Sequence, residues 1–423
     1  MEYKVSQLKN GLKVLIVPLK SLSSVTLTVW VKTGSRNETE NVAGISHFLE
    51  HIVFKGSEKR PSAKIIADEL DSMGSEHNAS TSKDWTRYYI KCRSNDLEKA
   101  FDILSDLTLN PIFSQNEIEK EKGSIIEEIK MYEDTPMYHI GDVFEELIYQ
   151  GTPLGRDIAG SKETVSNMKR SDFLEYRDSN YFSQNMLVTV AGSVDEKEVL
   201  TLFQKYFGDL KSGESHQEEL NLVQSEPKFK LYQKEKEQVH VILGFLADGR
   251  KYKNKYAQTI LAAILGGGMS SRMFSEVREK RGLAYAVRTS MDRYIDTGYI
   301  GTYAGLDTKR SLEGIKIILE EHYKVVNGKE PIKEAEIKKA KEFLKGHLAL
   351  SLEDTSDVSS FFGEQQLFMD KVLTPKEVFK KIDGVSLEEI NFEAKRLFVP
   401  ERLNLAVIGT FPKTVDFDKI LKG

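Results

Sequence analysis

A chain of 423 residues exceeds what one ordinary hydrophobic core accommodates and implies two or more domains. Charged residues make up 30% of it, mixed in sign with a net charge of only −5, so no basic surface of the kind that binds nucleic acid dominates. The single cysteine, Cys92, excludes an internal disulfide and any cysteine-built metal site, and it fits a reducing compartment.

The first residues, Met1 to Leu19, are interrupted by charges and lack the apolar block and small-residue cleavage site of a signal peptide. No stretch approaches the ~20 apolar residues that span a bilayer, so the expectation is a soluble, cytoplasmic protein without a membrane partner. Val14–Val17 and Val25–Val31 follow as strands.

The run Gly44–Phe54 is the most informative in the chain. Ile45, Phe48, Leu49, Ile52 and Val53 fall at i, i+3, i+4, i+7 and i+8, one apolar stripe of a helix. At about 100° per residue, His47, Glu50 and His51 all lie on the opposite face. A plain solvent face would carry Lys, Glu and Gln; this one carries two imidazoles one turn apart with a carboxylate beside them. Histidines at i and i+4 can share one zinc ion, and a catalytic zinc site takes a third protein ligand while leaving a position for water. Glu50 is then placed to accept a proton from that water. This is the inverted H-x-x-E-H order, His47-Phe48-Leu49-Glu50-His51.

Helical stripes continue at 62–73, 96–109 and 116–132. In the last of these Ile118, Ile125 and Ile129 form the core stripe. Glu121 and Glu128 stand seven residues apart along one edge of it, whereas Glu127 points to solvent. Periodicity thus favours Glu128 or Glu121 over Glu127 as the third ligand.

Two pairs of segments repeat at nearly one offset. Glu117–Lys122 matches Glu336–Lys341, and Met186–Ser193 matches Leu403–Thr410. The fold class expected is α+β: two homologous halves, each a mixed or antiparallel sheet with packed helices. The domains expected are residues 1–211 and 228–423, joined by a polar linker at 212–227. The second half does not repeat the metal set, since Glu128 and Glu121 fall on His347 and Ala340. The triple glycine Gly266–Gly268 lacks the Lys-Ser/Thr ending of a phosphate-binding loop. His77, His139, His216, His240, His322 and His347 show no ligand pairing.

On these motifs the chain resembles, over essentially its whole length, the pitrilysin family of metallopeptidases. That family includes insulin-degrading enzyme and the mitochondrial processing peptidases, and the likeness is strongest to its short bacterial members. His47-Phe48-Leu49-Glu50-His51 matches the family's zinc helix, and Glu119–Ile129 its second zinc segment, with Ser124 where Val is usual. The resemblance implies Zn2+ on His47, His51 and Glu128, Glu50 as general base and Glu121 supporting the site from behind. Asn78-Ala79-Ser80-Thr81 matches the strand that holds peptide substrate by edge addition, so Asn78 and Ala79, together with Phe48 of the zinc helix, are expected to bind substrate. Arg278 and Tyr285, seven apart in the second half, match the pair that contacts the substrate carbonyl.

The resemblance further implies halves that face each other as a clamshell, and, since one chain carries both the metal residues and the Arg278/Tyr285 pair, a homodimer or a self-sufficient monomer. The expected activity is zinc-dependent endopeptidase cleavage of unstructured peptides. The rival is a non-catalytic assembly protein; relatives of that kind lose motif residues, and none is lost here.

Overall fold

The computed structural model describes residues 1–214, 220 and 222–422. Residues 215–219 and 221 of the expected linker, His216 among them, lie outside the described residues. The described residues form two compact units, and neither is continuous in sequence.

The first unit comprises Met1–Lys130, Arg156–Glu218 and Ala349–Pro375. Its sheet contains β1 (Lys4–Gln7), β2 (Lys13–Pro18), β3 (Ser24–Val31), β4 (Glu76–Thr81), β5 (Thr86–Arg93) and β6 (Met186–Gly192). They lie in the order β1-β2-β6-β3-β5-β4. The β2–β6 pair is parallel and the other pairs are antiparallel. Along β3 the side chains alternate as a pleated strand requires. Val25, Leu27, Val29 and Val31 enter a core shared with helices α1 (Ile45–Ile52), α2 (Ala63–Ser72), α3 (Leu97–Leu109) and α4 (Gln115–Asp134, within this unit through Lys130). The intervening residues turn to the helix Thr355–Phe368, where Thr26 meets Thr355 at 2.8 Å and Thr28 meets Ser359 at 2.9 Å through buried hydroxyls.

The second unit comprises Met131–Gly155, Glu219–Leu348 and Lys376–Gly423. Its strands are β7 (Lys228–Gln233), β8 (Gln238–Asp248), β9 (Ala284–Arg293), β10 (Thr297–Asp307) and β11 (Leu403–Gly409), in the order β7-β11-β8-β10-β9. Only the β7–β11 pair is parallel. Strand for strand this reproduces β2-β6-β3-β5-β4, so the repeat seen in the sequence is a repeat of topology. The matched runs Met186–Ser193 and Leu403–Thr410 are the equivalent strands β6 and β11.

The division at 211/228 separates the strands of the two sheets but not all the helices. Helix α5 (Pro136–Ile148), from the first half of the sequence, places Ile140, Val143, Phe144 and Ile148 in a core with Leu246, Tyr299 and Ile408 of the second sheet. Conversely, Thr355–Phe368 comes from the second half and covers the first sheet. Among the described residues no helix is long and apolar enough to cross a membrane.

The start of α1 is over-determined. Gly44 takes φ 96°, a left-handed conformation in which a side chain is strained, and a Cβ there would lie 2.4 Å from the Ala159 carbonyl oxygen. The buried Glu38 carboxylate accepts from Gly44 N at 2.7 Å and from Ser46 N at 2.8 Å, satisfying N–H groups that a helix start leaves without partners. Burial pushes the Glu38 carboxyl up to about 7, and these two donors work against that shift. Glu38→Ala should therefore cost about 2–3 kcal/mol, because two buried donors lose their acceptor. The midpoint of urea unfolding measures it, and an unchanged midpoint would mean that α1 is anchored by other contacts.

Candidate metal centre

The amphipathic pattern of α1 decides the direction of its polar residues. Ile45, Phe48, Leu49 and Ile52 are buried, so His47, Glu50 and His51 project from the other side. Helix α4 brings Glu128 to the same place. His47 Nε2 lies 3.7 Å from Glu128 Oε1, and His51 Nε2 lies 3.5 Å from Glu128 Oε2. One donor atom from each of the three residues falls within 4.8 Å of the others.

These separations carry chemical information. Hydrogen-bonded nitrogen and oxygen atoms stand ~2.7–3.2 Å apart, closer than found here. Donor atoms around a tetrahedral ion with bonds of ~2.0–2.1 Å stand about 3.3 Å apart, close to what is found. The three groups therefore surround a space of ionic size rather than bonding to one another. Two imidazoles and a carboxylate without a thiolate suit Zn2+ among the biological metals.

The surroundings hold the donors in usable states. Glu121 occupies a core position on the stripe of Ile118, Ile125 and Ile129, and its buried carboxylate needs partners. It has two: His51 Nδ1 at 2.9 Å and Lys55 Nζ at 2.8 Å. A carboxylate only accepts, so Nδ1 of His51 carries a hydrogen, and in the neutral ring Nε2 presents its lone pair on the side of His47 and Glu128. At His51 burial disfavours the charged ring, but the bond to Glu121 and the nearby carboxylates outweigh it and raise the pKa. At His47 burial, aided by neighbouring His51, pushes the pKa down to about 4, leaving a neutral ring, the form that binds metal. His47 Nδ1 has no protein hydrogen-bond partner among the described residues.

Of the two glutamates left open by periodicity, Glu128 stands at the donor cluster and Glu121 one bond behind it. Glu127 is 72% exposed and pairs with Lys130 on the solvent side. Glu50 lies beside the cluster, its pKa raised by burial and held back by a hydrogen bond from Thr81 to Oε2 at 2.7 Å. Thr81, the last residue of the matched segment Asn78–Thr81, has no role assigned to it from the sequence. Its only signal is the period of β4, which puts it on the same face as the buried Ala79.

Strand β4 is an edge strand, paired only with β5. Asn78 is exposed, and its side-chain oxygen accepts the Ala79 N–H at 2.9 Å, so that N–H is not committed to β5. Phe48 requires a correction. It is fully buried, with its ring edge-on to Phe173 at 4.7 Å, because it belongs to the apolar stripe that docks α1. It packs the helix and is not available to bind substrate.

In the second unit, Arg278 stands on a π-helical segment, Phe274–Glu279, a rare element that recurs at functional sites. Its guanidinium lies over the rings of Phe274 at 4.8 Å and Tyr285 at 5.0 Å and meets no carboxylate among the described residues. Tyr285, on β9, is 75% exposed. The triple glycine has a packing reason: a Cβ on Gly266 would lie 2.3 Å from the Thr289 main-chain nitrogen. At the repeat-related positions, Ala340 is buried and His347 exposed, and no second donor cluster occurs among the described residues.

Comparison with known proteins agrees with this division. Residues 13–162 match the profile described as Insulinase (Peptidase family M16), and residues 167–344 match the profile described as Peptidase M16 inactive domain. An uncharacterized zinc protease of Mycobacterium leprae is 35% identical over 408 residues, 96% of this chain and 91% of the relative. The crystal structure of a protease from Helicobacter pylori superposes with a TM-score of 0.88 at 25% identity, covering 96% of this chain and 99% of that one. A chain of complex III2 from Candida albicans shares the fold, with a TM-score of 0.86 at 18% identity over 99% of each chain. The chain belongs to the insulinase family of peptidases.

The geometry makes a ranking of variants. Glu128→Gln should lower metal affinity about 10- to 100-fold or more, whereas Glu127→Gln should leave it unchanged. Metal content after dialysis against a chelator series reads both, and the opposite ranking would place the donor cluster on the wrong helix face.

Proposed function

We propose that this protein is a zinc-dependent endopeptidase that hydrolyses unstructured peptides. The observation that carries the reading is the convergence of His47 Nε2, His51 Nε2 and Glu128 on one ion-sized space with Glu50 beside it. His47, His51 and Glu128 would hold the zinc ion, which would supply Lewis acidity toward a peptide carbonyl and toward water. Glu50 takes the proton of the attacking water at its carboxylate and passes it to the leaving amine. Glu121 keeps His51 in the tautomer that binds metal.

The peptide backbone pairs with the free edge of β4 at Asn78 and Ala79, which requires the Asn78 side chain to release the Ala79 N–H. Arg278 and Tyr285 donate to the substrate carbonyl oxygen as negative charge develops on it. The exposed phenol, the cation without a carboxylate partner and the π-helical segment beneath them support this role. Against a non-catalytic assembly role stands the presence of all four motif residues, His47, Glu50, His51 and Glu128.

Removal of one proton acceptor, with no ligand touched, separates chemistry from binding. Glu50→Gln should retain one zinc per chain and lose about 10²- to 10⁴-fold in kcat. Near-full activity in that variant would mean that another group accepts the proton. Tyr285→Phe should lower kcat by about 10²-fold with zinc content unchanged; equal turnover would remove the phenol from the reaction.

Edge-strand binding also fixes the substrate class, because a folded protein has its backbone already paired. A small disulfide-bonded protein should resist cleavage when locked and be cut after reduction and removal of reductant. Equal rates for the two forms, followed by mass spectrometry, would contradict recognition through a free backbone.

A further inference from the structure

Resting on the reading of Glu50 as the proton acceptor, we propose that Thr81 is the positioning residue for that carboxylate. Glu50 emerges from α1 with three rotatable side-chain bonds, and freezing such a side chain costs rotamer freedom that some contact must offset. Two neighbours act on its charge in opposite senses, His51 favouring the carboxylate and Glu128 opposing it. Thr81 supplies the fixed point. Its hydroxyl donates to Glu50 Oε2 at 2.7 Å. Threonine suits the task because its branched Cβ restricts χ1, so the donor is itself held in place. With Oε2 occupied, Oε1 makes no hydrogen bond among the described residues and keeps a lone pair free for a proton.

The location of Thr81 adds a second constraint. It is the last residue of β4, two positions from Ala79 and on the same face of the strand, paired with Thr86 of β5. The strand edge at Ala79, whose N–H is held only by the Asn78 side chain, and the donor that orients Glu50 are thus one rigid segment. A peptide seated on that edge is placed in register with the carboxylate by the covalent spacing of residues 79 and 81.

The test uses the full zinc-loaded chain with Thr81→Val, which keeps the shape and removes the hydroxyl, Thr81→Ser, which keeps the hydroxyl, and Glu50→Gln as reference. Thr81→Ala accompanies them in case the valine variant fails to fold. Zinc content, thermal midpoint, kcat and KM on a quenched fluorescent peptide, and the crystallographic position of the Glu50 carboxylate are measured for each. Thr81→Val, or Thr81→Ala in its place, should keep its zinc and midpoint, lose about 10- to 100-fold in kcat with KM within about threefold, and show the carboxylate displaced. Thr81→Ser should recover most of kcat. Undiminished kcat in Thr81→Val beside an inactive Glu50→Gln would overturn the role of Thr81 while leaving Glu50 as the base. Equal impairment of the serine and valine variants would overturn it too, because the hydroxyl would then not be the cause. An active Glu50→Gln would instead remove the base assignment on which the proposal rests.

Discussion

Two imidazole nitrogens held 3.5 and 3.7 Å from the oxygens of one carboxylate, too far to bond to it and suitably spaced to share an ion with it, are the constraint on which the site depends. Like charges and lone pairs do not stay in such an arrangement unaided. The apolar stripe of α1 is buried, which fixes the rotation of the helix and hence the direction of His47 and His51. Glu38 and Gly44 fix where that helix begins. Lys55 and Glu121 fix the ring of His51 from behind. Each device lies within the first unit, so the donor cluster is a property of that unit alone.

The second unit shows what the same topology becomes without those devices. Its sheet repeats the strand order of the first, yet the positions related to Glu121 and Glu128 are Ala340 and His347, and no paired histidines stand before them. What it carries instead is an exposed phenol and a guanidinium over two aromatic rings, groups that donate rather than bind metal. An insulinase profile and an inactive-domain profile match along the one chain, and the first of them spans His47, Glu50, His51 and Glu128. The traded helices, α5 and Thr355–Phe368, tie the two copies into one folding problem, since each sheet needs a helix from the other half of the sequence.

How much of this was readable beforehand follows from the range of each signal. Periods of 2 and 3.6 are local, and they located β2, β3 and α1 to α4 to within a residue or two of their observed limits. The same local argument set Glu127 on the solvent side, because its position on the α4 stripe depends on nothing beyond that helix. The helix exchange was not readable, since α5 looks like any amphipathic helix and nothing in its own residues says which sheet it will cover. Phe48 differs from its expected substrate role because its place on the apolar stripe of α1 commits it to the core. The role of Thr81 was not readable because the period of β4 gives only the face it lies on, not that its hydroxyl donates across to a helix.

Zinc K-edge X-ray absorption on the purified full-length chain tests the central claim most directly, because it reads the donor set around the metal itself. The account predicts one zinc per chain with about four nitrogen or oxygen neighbours at ~2.0–2.1 Å, the outer-shell scattering of two imidazoles, and no sulfur. A spectrum with fewer than two imidazoles, or with six oxygen neighbours, would show that His47, His51 and Glu128 do not share the ion.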